Sequence, residues 1–176
     1  MSARRTNRRR GVTLDLPHAV VRTMTSLLAV DLGLRAGFAL YKRDRGLLAY
    51  RSQAYGTVGR LKRAAFLELA ALSDLEVLVL EGDANLARVW ARLAERRGVR
   101  MLWTQAHEWR RALLLDRERR SGRRAKEAAG ILARRIIAAS PAPNAMSLRH
   151  DAAEAILLGW WGCTRVGWID TPPPRS

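Results

Sequence analysis

Cysteine occurs once, at Cys163. An internal disulfide and a cysteine-based zinc site are therefore excluded, which fits a reducing, cytoplasmic compartment. Lysine is almost as scarce, with Lys42, Lys62 and Lys126 the only examples. The most apolar stretches, Leu27–Leu40 and Ala152–Trp161, are interrupted by charge and too short to cross a bilayer. The arginine-rich start lacks the apolar segment of a secretory signal. Acidic residues are the remaining shortage: 16 Asp and Glu stand against 32 Lys and Arg, a formal net charge of +16 in 176 residues. A chain of this size builds one domain with a real core. Its charge points to a polyanionic partner.

With acids so few, their positions are informative. In AVDLGLRAGFAL, Asp31 ends an apolar run that reads as a strand buried on both faces. An ionised carboxylate buried there is costly without a charge partner or a metal. The alternative is a strand that has ended, with Asp31 solvated in a turn. The run EVLVLE, Glu76–Glu81, is a second buried strand with an acid at its end. Near the C-terminus, Asp151 and Glu154 are three apart in RHDAAEAILLGWW and share one helix face. They are either functional or ordinary N-terminal acids favoured by the helix dipole.

Residues 1–25 have the composition of a flexible basic arm, with Arg8, Arg9 and Arg10 available to phosphates or merely solvated. Residues 26–164 read as the folded domain and 165–176 as an extended tail. Short strands are expected at Ala36–Lys42 and Leu47–Ser52, forming a meander with the first. Val58, Leu61, Ala65, Leu69 and Leu72 have helical spacing, with Arg60, Lys62 and Arg63 turned outward. Leu86–Leu93 is a helix closed by Gly98, and Val99–Trp103 a fifth strand, with Trp90 and Trp103 as core residues. Trp109–Leu115 contains a short helix. Asp116–Arg124 is expected as a mobile loop, Ala125–Ala139 as a helix, and Ser147 as the N-cap of the last helix. Three strands, helix, strand, helix, strand is the order of the ribonuclease-H-like α/β fold, a mixed five-stranded sheet flanked by helices. In it Asp31 and Glu81 lie on adjacent parallel strands.

Four acids gathered in one place suit hard divalent cations. Two such ions about 4 Å apart can drive in-line phosphodiester hydrolysis. Over Leu27–Cys163 the sequence resembles the RuvC-type Holliday junction resolvases, in a short, phage-like variant. The stretches that carry the resemblance are AVDLGLRAGFAL, VLVLEGD, SGRRAKEAAGIL and RHDAAEAILLGWW, and HEWRRALL looks like that variant. The resemblance implies a Mg²⁺- or Mn²⁺-dependent endonuclease with two ions per site, held by Asp31, Glu81, Asp151 and Glu154, with Lys126 at the scissile phosphate. It also implies branched DNA as substrate and a homodimer. Arg60, Lys62, Arg123 and Arg124, with the basic arm, are candidate DNA contacts.

The chain departs from that pattern in three places. The segment Glu81–Met101 is short, the basic arm is additional, and the last acid is Glu where Asp is common. His150 is a candidate ligand or base, although helical spacing turns it about 100° from Asp151. Two other functions remain open: a ribonuclease-H-like nuclease acting on hybrids or flaps, and a basic nucleic-acid-binding protein without catalysis.

Overall fold

The structure is a computed structural model that describes residues 25–175. Arg8, Arg9 and Arg10 lie outside the described residues. The elements are β1 (Ser26–Leu32), β2 (Arg35–Lys42), β3 (Gly46–Ala54), α1 (Val58–Ala71), β4 (Leu75–Gly82), α2 (Ala84–Arg96), β5 (Arg100–Thr104), α3 (Ala106–Leu113), α4 (Gly122–Ala138) and α5 (His150–Arg165). One sheet holds the strands in the order β3-β2-β1-β4-β5. The first three form an antiparallel meander, and β4 and β5 continue parallel to β1. This is the ribonuclease-H-like arrangement. No helix among the described residues is long and apolar enough to cross a membrane.

The central strand β1 is covered on both faces, which is why its sequence is continuously apolar and does not alternate. Leu28, Val30 and Leu32 face α1 and α2, packing with Leu61, Leu69 and Trp90. Leu27 and Ala29 face α5, backed by α4 and α3. Between the sheet and α4, the residues Ala152–Gly159 of α5 are all buried, as expected of a helix that is apolar all round.

Two glycines let α5 lie this close. A Cβ on Gly37 would stand 1.9 Å from the Asp151 carbonyl oxygen, and one on Gly159 would stand 2.3 Å from the Tyr41 ring. Tyr41 in turn donates its hydroxyl to the Ile156 carbonyl at 2.7 Å. The contact therefore sets the height and rotation of α5 over the sheet.

Four local expectations are corrected. Trp103 is 45% exposed, because β5 is an edge strand and its α2-side face extends past that helix, whereas Trp90 is fully buried. The segment expected as a mobile loop contains a 3-10 turn, Asp116–Arg119, braced by the Asp116–Arg119 ion pair and by the Leu115 amide donating to Glu118. Helix α4 begins at Gly122, where the Ser121 hydroxyl accepts from the Arg124 amide at 3.3 Å. Helix α5 begins at His150 with Arg149 at the N-cap position and no side-chain cap, so Ser147 does not serve. The segment after α5 has no helix or strand, yet it packs: Trp168 and Ile169 lie against the α5 core, Pro173 is buried, and Arg175 donates to the Leu113 carbonyl.

Gly37→Ala should destabilise the fold by about 1–3 kcal/mol or more, since the added methyl meets backbone that cannot move alone. Gly130→Ala, on α4 with nothing within 4 Å of the new Cβ, should stabilise by up to about 1 kcal/mol. Denaturant unfolding compares the two. Wild-type stability in Gly37→Ala would show that α5 does not rest on this strand.

Candidate active site

Strand register lines up one residue from each strand at the carboxyl end of the parallel pair. Ser52 pairs with Gly37, Gly37 with Asp31, Asp31 with Glu81, and Glu81 with Thr104. Paired residues on neighbouring strands point to the same face. Asp31 and Glu81 therefore stand side by side below α5. Because Gly37 has no side chain, the first turn of α5 settles beside them and brings Asp151 and Glu154 to the same place.

The four acids are electrostatically coupled. Burial, then the charges of Glu81 and Glu154, a hydrogen bond with Glu81 and the charge of Asp151 push the Asp31 carboxyl up to about 8. Burial also raises Glu81, and Glu154 adds to the rise. The hydrogen bond with Asp31 and the Arg110 guanidinium oppose it. A hydrogen bond between two carboxyls requires one shared proton. Asp151 accepts from the Ser52 hydroxyl, and Glu154 from the Arg110 guanidinium. Cys163 is no competing nucleophile: it is buried, and burial pushes its thiol up to about 12.

Asp31, Asp151 and Glu154 open onto a groove of about 470 Å³ whose other walls include Lys126, Arg35, Arg149 and His150. Lys126 is exposed in the first turns of α4. A second cavity of about 450 Å³ on the other side of α4 is lined by Arg124, Arg117, Arg135 and Arg175. Arg123 is exposed in the first turn of α4. Arg60 and Lys62 are also exposed, but on α1, in the layer behind the sheet from α5. The structure does not bring them into the groove.

Sequence reasoning missed Ser52, Arg35, Arg149 and Arg110. Ser52 becomes visible only through the β2–β3 register. Arg35 and Arg149 were readable as cations flanking the acidic motifs. Arg110 gave no comparable signal, being one arginine among many.

The donor set is all carboxylate oxygen, which fits Mg²⁺ or Mn²⁺ in chemistry. The present side-chain directions are those of a site compensated in other ways: among the described residues no three His, Cys, Asp or Glu stand together as a ready metal-ion site. Binding would need Glu154 to leave Arg110 and the Asp31–Glu81 pair to give up its proton.

Strand order and helix layers define a ribonuclease-H-like α/β fold. More narrowly, the fold is RuvC-like. The structure of T. thermophilus RuvC in complex with a Holliday junction substrate matches 82% of this chain and 97% of that one, with TM-score 0.57 and 16% sequence identity. No family model matches the sequence, and no curated protein does.

The raised carboxyls set a pH dependence. Asp31 holds a proton in the folded state far above the ordinary carboxylate range, so its contribution is fully present at acid pH and is lost as pH rises through about 8. In EDTA, Asp31→Asn, which mimics the protonated acid, should melt near the wild-type temperature at about pH 4, the ordinary unfolded value, and increasingly above it up to about pH 8 and beyond. Parallel melting curves for the two proteins would mean that Asp31 is not held in a crowd of carboxylates.

Proposed function

We propose that this chain is a divalent-metal-dependent endonuclease that resolves four-way DNA junctions, a short, phage-like relative of RuvC working as a two-fold dimer with two Mg²⁺ or Mn²⁺ ions per site. The observation that carries the reading is the pairing of Asp31 with Glu81 beneath Asp151 and Glu154, on the floor of a groove with cationic walls. Four acids gathered in one place, two of them buried and two half-buried, have little structural use, and a strongly basic exterior brings phosphate to them.

Asp31, Glu81, Asp151 and Glu154 would hold the cations, which supply activation of water and stabilisation of the leaving oxygen in an in-line displacement. Lys126 reaches the phosphate from the wall formed by α4 and stabilises charge that grows on it in the transition state. Arg35 and Arg149 grip flanking phosphates, where a planar guanidinium fork matches two oxygens. Arg123 and Arg124 carry the cationic track past α4, and Arg8, Arg9 and Arg10 would add phosphate contacts. Arg60 and Lys62, behind the sheet, serve a second DNA arm if they serve DNA at all. One acidic cluster per chain makes one cut, so paired cuts need two chains. Phe66 and Leu67, 61% and 57% exposed on α1, lie on a helix whose outer face suits that contact.

A panel of labelled junction, duplex, flap, hybrid and single strand, with and without Mg²⁺, tests the reading. Junction cleavage only with the metal is expected. Cleavage confined to hybrid or flap would replace the substrate, and binding without cleavage would leave a non-catalytic basic protein. Asp31→Asn and Glu81→Gln should abolish cutting while leaving junction binding intact or slightly tighter, because each removes a charge that repels phosphate. Lys126→Ala should slow single-turnover cutting of bound junction at least tenfold, about 1.4 kcal/mol of transition-state stabilisation. A rate within about twofold of wild type, under roughly 0.5 kcal/mol, would remove Lys126 from the site. Light scattering should report a dimer. A monomer both free and on junction DNA would favour the flap or hybrid substrate.

A further inference from the structure

Arg110, in the HEWRRALL stretch, is a cation beside the acidic site to which the resemblance gives no role. We propose that it is a positioning residue that locks Glu154 away from the cation site in the free protein and is released when a DNA phosphate takes its guanidinium. The inference rests on the metal-dependent nuclease reading.

The geometry supports a lock with a release. Arg110 comes from α3 and donates from Nη2 to Oε1 of Glu154 on α5. The side chains are 22% and 11% exposed, so water does little to weaken the pair. Among the described residues, Arg110 is the cation hydrogen-bonded to any of the four acids. Asp31 and Glu81 are held by a shared proton and Asp151 by a hydroxyl, partners that a metal ion displaces simply. Glu154 is different: a divalent ion arriving there would face a fixed guanidinium, and removing Glu154 would leave that guanidinium buried without a counter-ion. The cation and Arg110 therefore compete for one carboxylate.

Arg110 also has unused hydrogen-bonding capacity. Its Nε is buried and has no partner, its Cζ lies 5.1 Å over the Trp109 ring centroid, and 22% of the side chain remains exposed. Arg110 does not itself line the groove, but Glu154 does, and a phosphate oxygen that approached Glu154 would meet the exposed part of the guanidinium as a matched acceptor. Bound there, it would neutralise Arg110 and free Glu154 in one exchange, so that the metal site is completed only with substrate present.

Full-length protein without DNA is titrated with Mn²⁺ by calorimetry, for wild type, Arg110→Gln and Arg110→Met. The second variant keeps an apolar stem against Trp109, and the melting temperature of each is read with and without the ion. Both variants should bind Mn²⁺ at least tenfold more tightly than wild type and gain more in melting temperature from it, since a ligand stabilises in proportion to its occupancy of the folded state. Adding Glu154→Gln to Arg110→Gln should return the affinity to the wild-type level. Equal affinity in wild type and both variants would overturn the lock and leave the metal centre standing. Absence of Mn²⁺ binding in every protein would overturn both.

The release is tested by linkage. Junction affinity is measured by anisotropy in EDTA and in Ca²⁺, and the gain from the cation should be at least tenfold greater in wild type than in Arg110→Gln. Equal gains would overturn release by DNA.

Discussion

The site depends on one van der Waals contact, that of the Gly37 backbone with the first turn of α5. The Asp151 carbonyl occupies the space a side chain would take. Everything at the acidic end follows from that approach, because a helix held one side-chain radius higher would carry Asp151 and Glu154 away from Asp31 and Glu81. The same constraint repeats two turns along, where Gly159 accepts the Tyr41 ring and the Tyr41 hydroxyl takes the Ile156 carbonyl. Close packing of a helix on a sheet is ordinarily a matter of stability. Here it also sets the spacing of the chemistry.

Charge is divided by depth. The exterior is strongly positive and the floor of the groove negative, so the molecule attracts a polyanion to a place that repels it. That opposition is moderated in three ways: a proton between Asp31 and Glu81, the Ser52 hydroxyl on Asp151, and the Arg110 guanidinium on Glu154. Each satisfies a carboxylate that burial alone would leave at high cost. On the proposed reading the proton and the hydroxyl give way to a cation, so a fold that is stable by itself remains ready for a ligand. Arg110 is the exception in kind, since it carries full charge and cannot shed it.

Much of this was legible from residue patterns. Asp31 and Glu81 end apolar runs where a carboxylate needs a reason, and Asp151 with Glu154 has the spacing of one helix face. The strand and helix order follows from a change of period between Ser52 and Val58 and again after Glu81. What was hidden depends on neighbours in space. Ser52 is an ordinary polar residue until the hairpin register sets it beside Gly37, and Arg110 is indistinguishable in sequence from Arg111. Trp103 was misread because composition says nothing about which strand lies at an edge. The braced turn at Asp116–Arg119 was missed because its charges look solvated, and two of them pair with each other. Ser147 is a good cap by type, but the chain turns into the helix two residues later than it could serve.

The long reach of the Tyr41 hydroxyl to the Ile156 carbonyl, 115 positions apart in the chain, has a consequence for biosynthesis. Local hairpin and crossover contacts among the strands can form while the chain is still being made, but α5 leaves the ribosome after all five strands. A nascent sheet therefore presents Asp31 and Glu81 without Asp151 and Glu154. Non-local contacts of this kind also form late in folding, after loop closure has been achieved. The four carboxylates assemble only when translation has passed Glu154, so a chain stopped short of α5 is an arginine-rich polymer with half of its acidic cluster missing.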